Sequence, residues 1–167
     1  MAFFEEKTVI VTGGAGFIGS HLVDRLLKDG HQVVVLDDFS TGRKTNLGPA
    51  SEHSNIAIHE ADISDFDRIN LFFKDVEWVF HLAALADIVP SIETPLNYHR
   101  VNVDGTVAVL EAARLANVKR FVYAASSSCY GIADTTPTAE TAPITPMYPY
   151  ALTKNLGKQY VIHWAQT

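Results

Sequence analysis

The sequence is poor in cysteine, in long apolar runs and in positive charge, and each shortage removes a class of protein. One cysteine, Cys129, among 167 residues allows no intrachain disulfide framework and fits a reducing compartment, the cytoplasm. No stretch approaches the roughly 18 consecutive apolar residues of a membrane span. The first residues lack the basic segment and apolar core of a secretory signal. With 13 Lys and Arg against 19 Asp and Glu the formal charge is −6, the wrong sign for a nucleic-acid or anionic-membrane surface. Repeats and low-complexity tracts are also missing. What remains, 47% hydrophobic and 19% charged residues, suits one globular domain that buries about 70% of its unfolded surface.

The chain is organised around residues 7–22. An apolar run leads into Gly13, Gly16 and Gly19 at three-residue spacing, and Phe17, Ile18, Leu22, Val23, Leu26 and Leu27 follow at helical spacing until Asp29-Gly30 stops the helix. A buried strand, a tight turn and a helix in that order hold a phosphate. Gly13 permits the turn, Gly16 lets backbone N–H groups approach a pyrophosphate, and Gly19 allows close packing of helix on strand. A glycine triplet alone is weak, but Asp37 ends the next strand, where a carboxylate accepts hydrogen bonds from ribose hydroxyls and repels a 2′-phosphate. That favours NAD over NADP, although Arg43 and Lys44 follow closely and suit a 2′-phosphate.

Further strands are expected at 31–36, 55–60, 76–80 and 120–125; 31–36 is too continuously apolar for a sheet with one wet face, while 55–60 alternates Ile56 and Ile58. Helices are expected over 65–74, along a stretch through Val101, Val103, Val107, Leu110 and Leu115, and from Pro149 onward. Residues 39–54 read as a loop with at most one helical turn, and 87–98 and 132–146 as proline-marked loops. The pattern predicts an α/β, Rossmann-type doubly wound parallel sheet with ligands at the carboxyl ends of its strands.

Several polar residues fall at those ends. Asp38 either meets the ribose or caps a solvated loop, and Asp62, before Ile63, either faces an adenine amino group or caps a turn. His81 reads as an imidazole fixed by local hydrogen bonds rather than a catalyst, ahead of the run Leu82-Ala83-Ala84-Leu85-Ala86, whose small residues let a flat cofactor lie against the backbone. Asn102, inside a helix, either bonds backbone near the site or is solvated. Ser126-Ser127-Ser128 end the fifth strand.

Tyr150 and Lys154 are four apart on a helix and share one face. A tyrosine base at neutral pH needs its proton affinity lowered by roughly three units from a value near 10. A nearby ammonium and an oxidised nicotinamide act in that direction, and Ser126 can hold the same substrate hydroxyl toward the base.

Thr12-Gly13-Gly14-Ala15-Gly16-Phe17-Ile18-Gly19, Asp37, Asp62-Ile63, His81-Leu82-Ala83-Ala84, Asn102 with Gly105-Thr106, Ser126-Ser127-Ser128 through Tyr130-Gly131, and Pro149-Tyr150 with Lys154 resemble the extended short-chain dehydrogenase/reductases. Within them the likeness is to the NAD-dependent epimerase/dehydratase family of nucleotide-sugar enzymes, above all UDP-sugar 4-epimerases of the UDP-N-acetylglucosamine type. The resemblance implies hydride removal and return at C4 of the sugar, with Tyr150 as base, Ser126 as its hydrogen-bonding partner and Lys154 on the nicotinamide ribose. It implies that the glycine turn, Asp37, Asp62 and Ile63 hold adenosine, that Leu82, Ala83 and Ala84 lie beside NAD, and that Ser127 and Ser128 touch the sugar. Asn102 is counted with the cofactor contacts, and no metal ligand is assigned.

Dehydratase relatives carry an Asp-Glu pair where Ser127 and Ser128 stand, and decarboxylase relatives a glutamate in this segment. Both differences weaken those alternatives, as retention of Tyr150, Lys154 and Ser126 weakens that of a non-catalytic NAD-binding module. Family members are roughly twice this long. Residues 1–167 therefore read as an incomplete NAD-binding domain, ending after the helix that follows strand 5, without its C-terminal substrate domain and with strand 120–125 left as an apolar edge. The resemblance also implies a homodimer through helices near 97–116 and 148–165.

Overall fold

The valine-rich segments pair as one parallel sheet. In the computed structural model, which describes residues 6–166, the strands are β1 Thr8–Thr12, β2 Gln32–Asp37, β3 Ile56–Glu60, β4 Trp78–His81 and β5 Arg120–Tyr123. Their order is β3-β2-β1-β4-β5. Val9, Ile10 and Val11 of β1 are wholly buried, because β1 is flanked by β2 and β4 and covered on both faces. Ile10 faces a core with Ile69, Phe73, Val79 and Val109. Val9 and Val11 face another with Val23, Leu26, Val33 and Leu47. Strand alternation thus sends neighbouring residues into two helical layers, the doubly wound arrangement.

Helix α1, Phe17–Lys28, covers one face, and α2, Phe66–Asn70, with α5, Gly105–Leu115, covers the other. The chain leaves β1 toward β2 on one side and reaches β4 on the other, so a crevice opens at the carboxyl ends of β1 and β4.

Four expectations need correction. Residues 44–52 form two 3-10 turns about Gly48, whose φ is +38°; burying Leu47 and Ala50 draws this segment onto the core. Helix α2 is shorter than 65–74: Asp65 caps it by accepting from the Arg68 N–H at 3.2 Å, and turns follow Asn70. Residues 87–98 are mostly helical, as α3 Ile88–Glu93 and α4 Pro95–His99. Pro90 and Pro95 lie in first turns, where the missing N–H has no partner to lose. The long helix is α4, a π-helical turn Arg100–Asp104, and α5 in succession.

Strand β5 has only β4 as a neighbour and is an edge, as expected. It is less bare than its sequence implied, since Val122 is exposed while Phe121 and Tyr123 are half-buried. Helix α6 spans Pro149–Trp164.

Candidate active site

Gly13 turns the chain off β1 with φ +69°, and its N–H bonds the Leu36 carbonyl at 2.8 Å. A Cβ there would lie 2.7 Å from the Ala83 backbone nitrogen, so the turn rests directly on the segment after β4. Gly19 packs on the turn itself, because an added Cβ would overlap the Gly13 carbonyl oxygen. Gly16 caps α1, whose first internal bond runs from Ser20 N–H to Gly16 at 3.0 Å. The earlier N–H groups, those of Phe17, Ile18 and Gly19, are the ones a helix start leaves for an outside acceptor. No acidic residue opposes an anion in that first turn. The side chains of Phe17 and Ile18 are 81% and 66% exposed, so they do not belong to the buried stripe that their spacing suggested.

Asp37 is buried, and its carboxylate accepts from the N–H groups of Ala15 and Phe39, both at 2.9 Å. Burial raises its pKa, the two amides oppose the rise, and Asp38 adds to it. Asp38 accepts from the Ser40 N–H at 3.0 Å and hydroxyl at 2.7 Å, an Asx turn. Asp62 also takes the turn role: Ser64 donates N–H and hydroxyl to one oxygen and Arg100 donates to the other at 2.6 Å. Burial works to raise this carboxyl, but those bonds prevail and hold it below the ordinary value.

One cleft is lined by Gly13, Gly16, Asp37, Asp38, Asp62, Ile63, Leu82, Ala83 and Ala84. Ser40, Thr41, Gly42, Leu85 and Val101 line it as well, and none of these is among the cofactor contacts expected from the sequence. Gly42 offered only a loop-breaker signal, yet an added Cβ would meet the Asp37 carboxylate at 2.8 Å. Lys44 is turned to Glu60 at 3.4 Å and to the Phe39 ring at 4.7 Å.

Behind the cleft the hydrogen bonds define a direction. Thr12 Oγ1 accepts from the N–H groups of Leu82 and Ala83, both at 3.2 Å, so its own proton goes to His81 Nδ1 at 2.7 Å. The imidazole proton then lies on Nε2 and is donated to Thr106 Oγ1 at 3.0 Å, while Thr106 donates to the Asn102 carbonyl at 2.7 Å. Complete burial, aided by the Lys154 charge, pushes the His81 pKa down to about 3. It is a neutral rivet, as its sequence context suggested. Asn102 is buried in the π-helical turn; its amide accepts from Leu85 N–H at 2.8 Å and donates to the Leu85 carbonyl at 3.0 Å and Thr153 Oγ1 at 3.1 Å. The backbone-bonding alternative therefore describes its side chain.

Strand β5 stops at Tyr123, short of the expected 120–125, and Ser126, three residues beyond it, caps the 3-10 turn Ser127–Tyr130, its Oγ accepting from the Ser128 N–H at 3.2 Å. Ser127 is exposed and Ser128 half-buried. The buried Cys129 thiol reaches the Ala151 carbonyl at 3.5 Å, tying this turn to α6. On α6, Tyr150 is half-buried and Lys154 buried. Burial pushes the Lys154 ammonium down to about 8, against the opposing effect of Cys129. Ser126, Tyr150 and Lys154 thus stand on two elements riveted together at the open end of the sheet.

A parallel sheet with a glycine turn at its switch point and an acidic residue ending β2 defines a dinucleotide-type Rossmann fold. The chain belongs to the NAD dependent epimerase/dehydratase family, whose model matches residues 9–167. It is 48% identical over 155 residues to the UDP-glucose 4-epimerase of Mycolicibacterium smegmatis, covering 91% of this chain and 49% of that protein. Among solved structures it resembles the UDP-N-acetylglucosamine 4-epimerase from Methanobrevibacter ruminantium M1 in complex with UDP-N-acetylmuramic acid, with TM-score 0.92 and 36% identity over 98% of this chain and 52% of that one. It also resembles UDP-glucose 4-epimerase from Brucella ovis in complex with NAD, with TM-score 0.88 and 32% identity over 96% of this chain and 48% of that one. The chain spans about half the length of these relatives. Among the described residues no helix is long and apolar enough to cross a membrane.

Proposed function

We propose that the chain is the cofactor-binding half of a cytoplasmic, NAD-dependent UDP-sugar 4-epimerase. What supports this reading is that the cleft at the glycine turn lies by β1 and β4, and that Ser126, Tyr150 and Lys154 are carried on the turn after β5 and the helix joined to it.

The residues present fit NAD. Gly16 leaves the approach to the α1 N-terminus open, with only the Gly13 carbonyl near an added Cβ, and no carboxylate opposes the pyrophosphate in that first turn. Asp37 with Asp38 would take the ribose, Asp62 and Ile63 the adenine side, and Leu82, Ala83 and Ala84 the inner wall. Asn102 would support that wall through Leu85. When bound, NAD supplies the hydride acceptor and donor that a change of configuration at C4 requires.

The chain's own side chains then act on the sugar. Tyr150 Oη accepts the proton of the 4-hydroxyl and returns it to the 4-oxygen, Ser126 Oγ holds that oxygen toward Tyr150, and Ser127 and Ser128 contact the ring. Lys154 brings a positive charge to the same helix face and would bond the nicotinamide ribose. Serines at 127 and 128 leave no carboxylic acid there for water elimination or decarboxylation, which favours epimerisation over those reactions of the family.

The remaining sugar contacts are assigned to the half of the protein's length that the relatives have and this chain does not cover. A homodimer through helices near 97–116 and 148–165 completes the reading, supported by the exposed Leu96, Leu152, Tyr160 and Ile162 on those elements. Equilibrium sedimentation of the full-length protein at high concentration should give twice the monomer mass, and a monomer would refute the dimer.

The full-length protein, purified with NAD bound, should interconvert UDP-glucose with UDP-galactose or UDP-GlcNAc with UDP-GalNAc when the sugar C4 configuration is followed by NMR. NAD-loaded protein that leaves all four untouched would overturn the reading. The 167-residue chain alone should turn over weakly or not at all.

A further inference from the structure

Tyr123 is a residue that neither the glycine turn nor the Tyr150-Lys154 pair accounts for. It lies on β5, three residues before Ser126, and touches Lys154 twice. Its hydroxyl donates to the Lys154 carbonyl at 3.2 Å, and its ring centroid lies 4.3 Å from Lys154 Nζ. Opposite the hydroxyl stands Gly157, where an added Cβ would overlap the Tyr123 oxygen. A glycine inside a helix lowers its stability relative to alanine, and here its absent side chain is the space the phenol fills. The Tyr123 ring is also 5.7 Å from that of His81, which is held neutral and so adds no charge against the ammonium.

We propose that Tyr123 is a positioning residue for Lys154: its ring seats the ammonium, so that the edge strand sets where the lysine's charge lies. The bearing on catalysis rests on the role proposed for Lys154; the seat itself does not. An aromatic face stabilises a desolvated cation, which offsets part of what burial costs this lysine. Burial also raises the Tyr123 phenol above its ordinary value, so its hydroxyl remains a hydrogen-bond donor. The other titratable groups around Lys154 are Cys129 on the serine turn, His81 on β4, and Tyr150 and Lys158 on α6 itself.

The test is the pH titration of the Lys154 ε-carbon resonance in the full-length protein without substrate, compared among the unmodified chain, Tyr123→Phe and Tyr123→Leu. Tyr123→Phe keeps the ring and should leave the midpoint in place. Tyr123→Leu removes the ring and should lower the midpoint by about one pH unit. Gly157→Ala, which keeps Tyr123 but crowds its ring as well as its hydroxyl and so pushes the phenol off the ammonium, should lower it too, and provides the reading if Tyr123→Leu does not fold. An unchanged midpoint in Tyr123→Leu or Gly157→Ala, or an equal shift in Tyr123→Phe and Tyr123→Leu, would overturn the proposal. The expected shifts in a protein without epimerase activity would instead overturn the proposed function and leave the seat standing.

Discussion

The glycine-turn cleft and the Ser126-Tyr150-Lys154 end lie on the same sheet but are built from different material. The cleft is mostly backbone and short side chains, hung on β1, β2 and β4 with both sheet faces covered. The other end is made of long side chains near the edge strand, held by point contacts such as Cys129 on Ala151 and Tyr123 on Lys154. A backbone-built site is vulnerable to added volume, because its neighbours are main-chain atoms that cannot turn aside. A side-chain-built site is vulnerable to losing one atom, and that loss need not disturb cofactor binding.

The sharpest way to separate the two is Tyr150→Phe in the full-length protein. Turnover should fall by roughly 10²- to 10⁴-fold while NAD remains bound; an unchanged rate would remove Tyr150 from its proposed role. Gly13→Val attacks the other region, with positive φ and the Ala83 backbone both against a branched side chain. It should cost about 3 kcal/mol of stability in denaturant unfolding and abolish NAD binding, and full retention of both would break the comparison.

A smaller effect tests the rivet between the two ends. The folded-state pKa of His81 lies at about 3, below its ordinary 6.5, so between these values the unfolded chain binds a proton that the folded chain refuses. Stability from this group is therefore complete above the unfolded pKa and is lost as pH falls toward 3, by about 2 kcal/mol between pH 7 and pH 5. His81→Gln cannot titrate, so its urea midpoint should change less over that interval than that of the unmodified chain. Equal pH dependence would deny that His81 is buried neutral. Last, Asp37→Asn should weaken NAD binding about tenfold and narrow its advantage over NADP, at the scale of one charged hydrogen bond; calorimetric titration with both cofactors measures this.

Much of the fold was legible because its signals are local. The glycine spacing, the continuously apolar strands and the Tyr150-Lys154 interval each reflect a repeat of the backbone itself. The prolines at 90 and 95 misled because proline breaks a helix interior but suits a first turn, and only the observed helix starts distinguish the two. Gly42 and Val101 were missed as cleft residues because nothing adjacent to them in sequence refers to Asp37 or Leu82.

The sequence by itself determined the strands, the glycine turn, the acidic residue ending β2 and the shared helix face of Tyr150 and Lys154, all properties of residues within a few positions of one another. Only the tertiary structure decided which partners complete them. The Thr12-His81-Thr106 bonds span 69 and 25 residues of chain, and Tyr123 meets Lys154 across 31. Such pairings depend on which strands and helices pack side by side, and burial then determines what each polar group must bond and which charge it can keep.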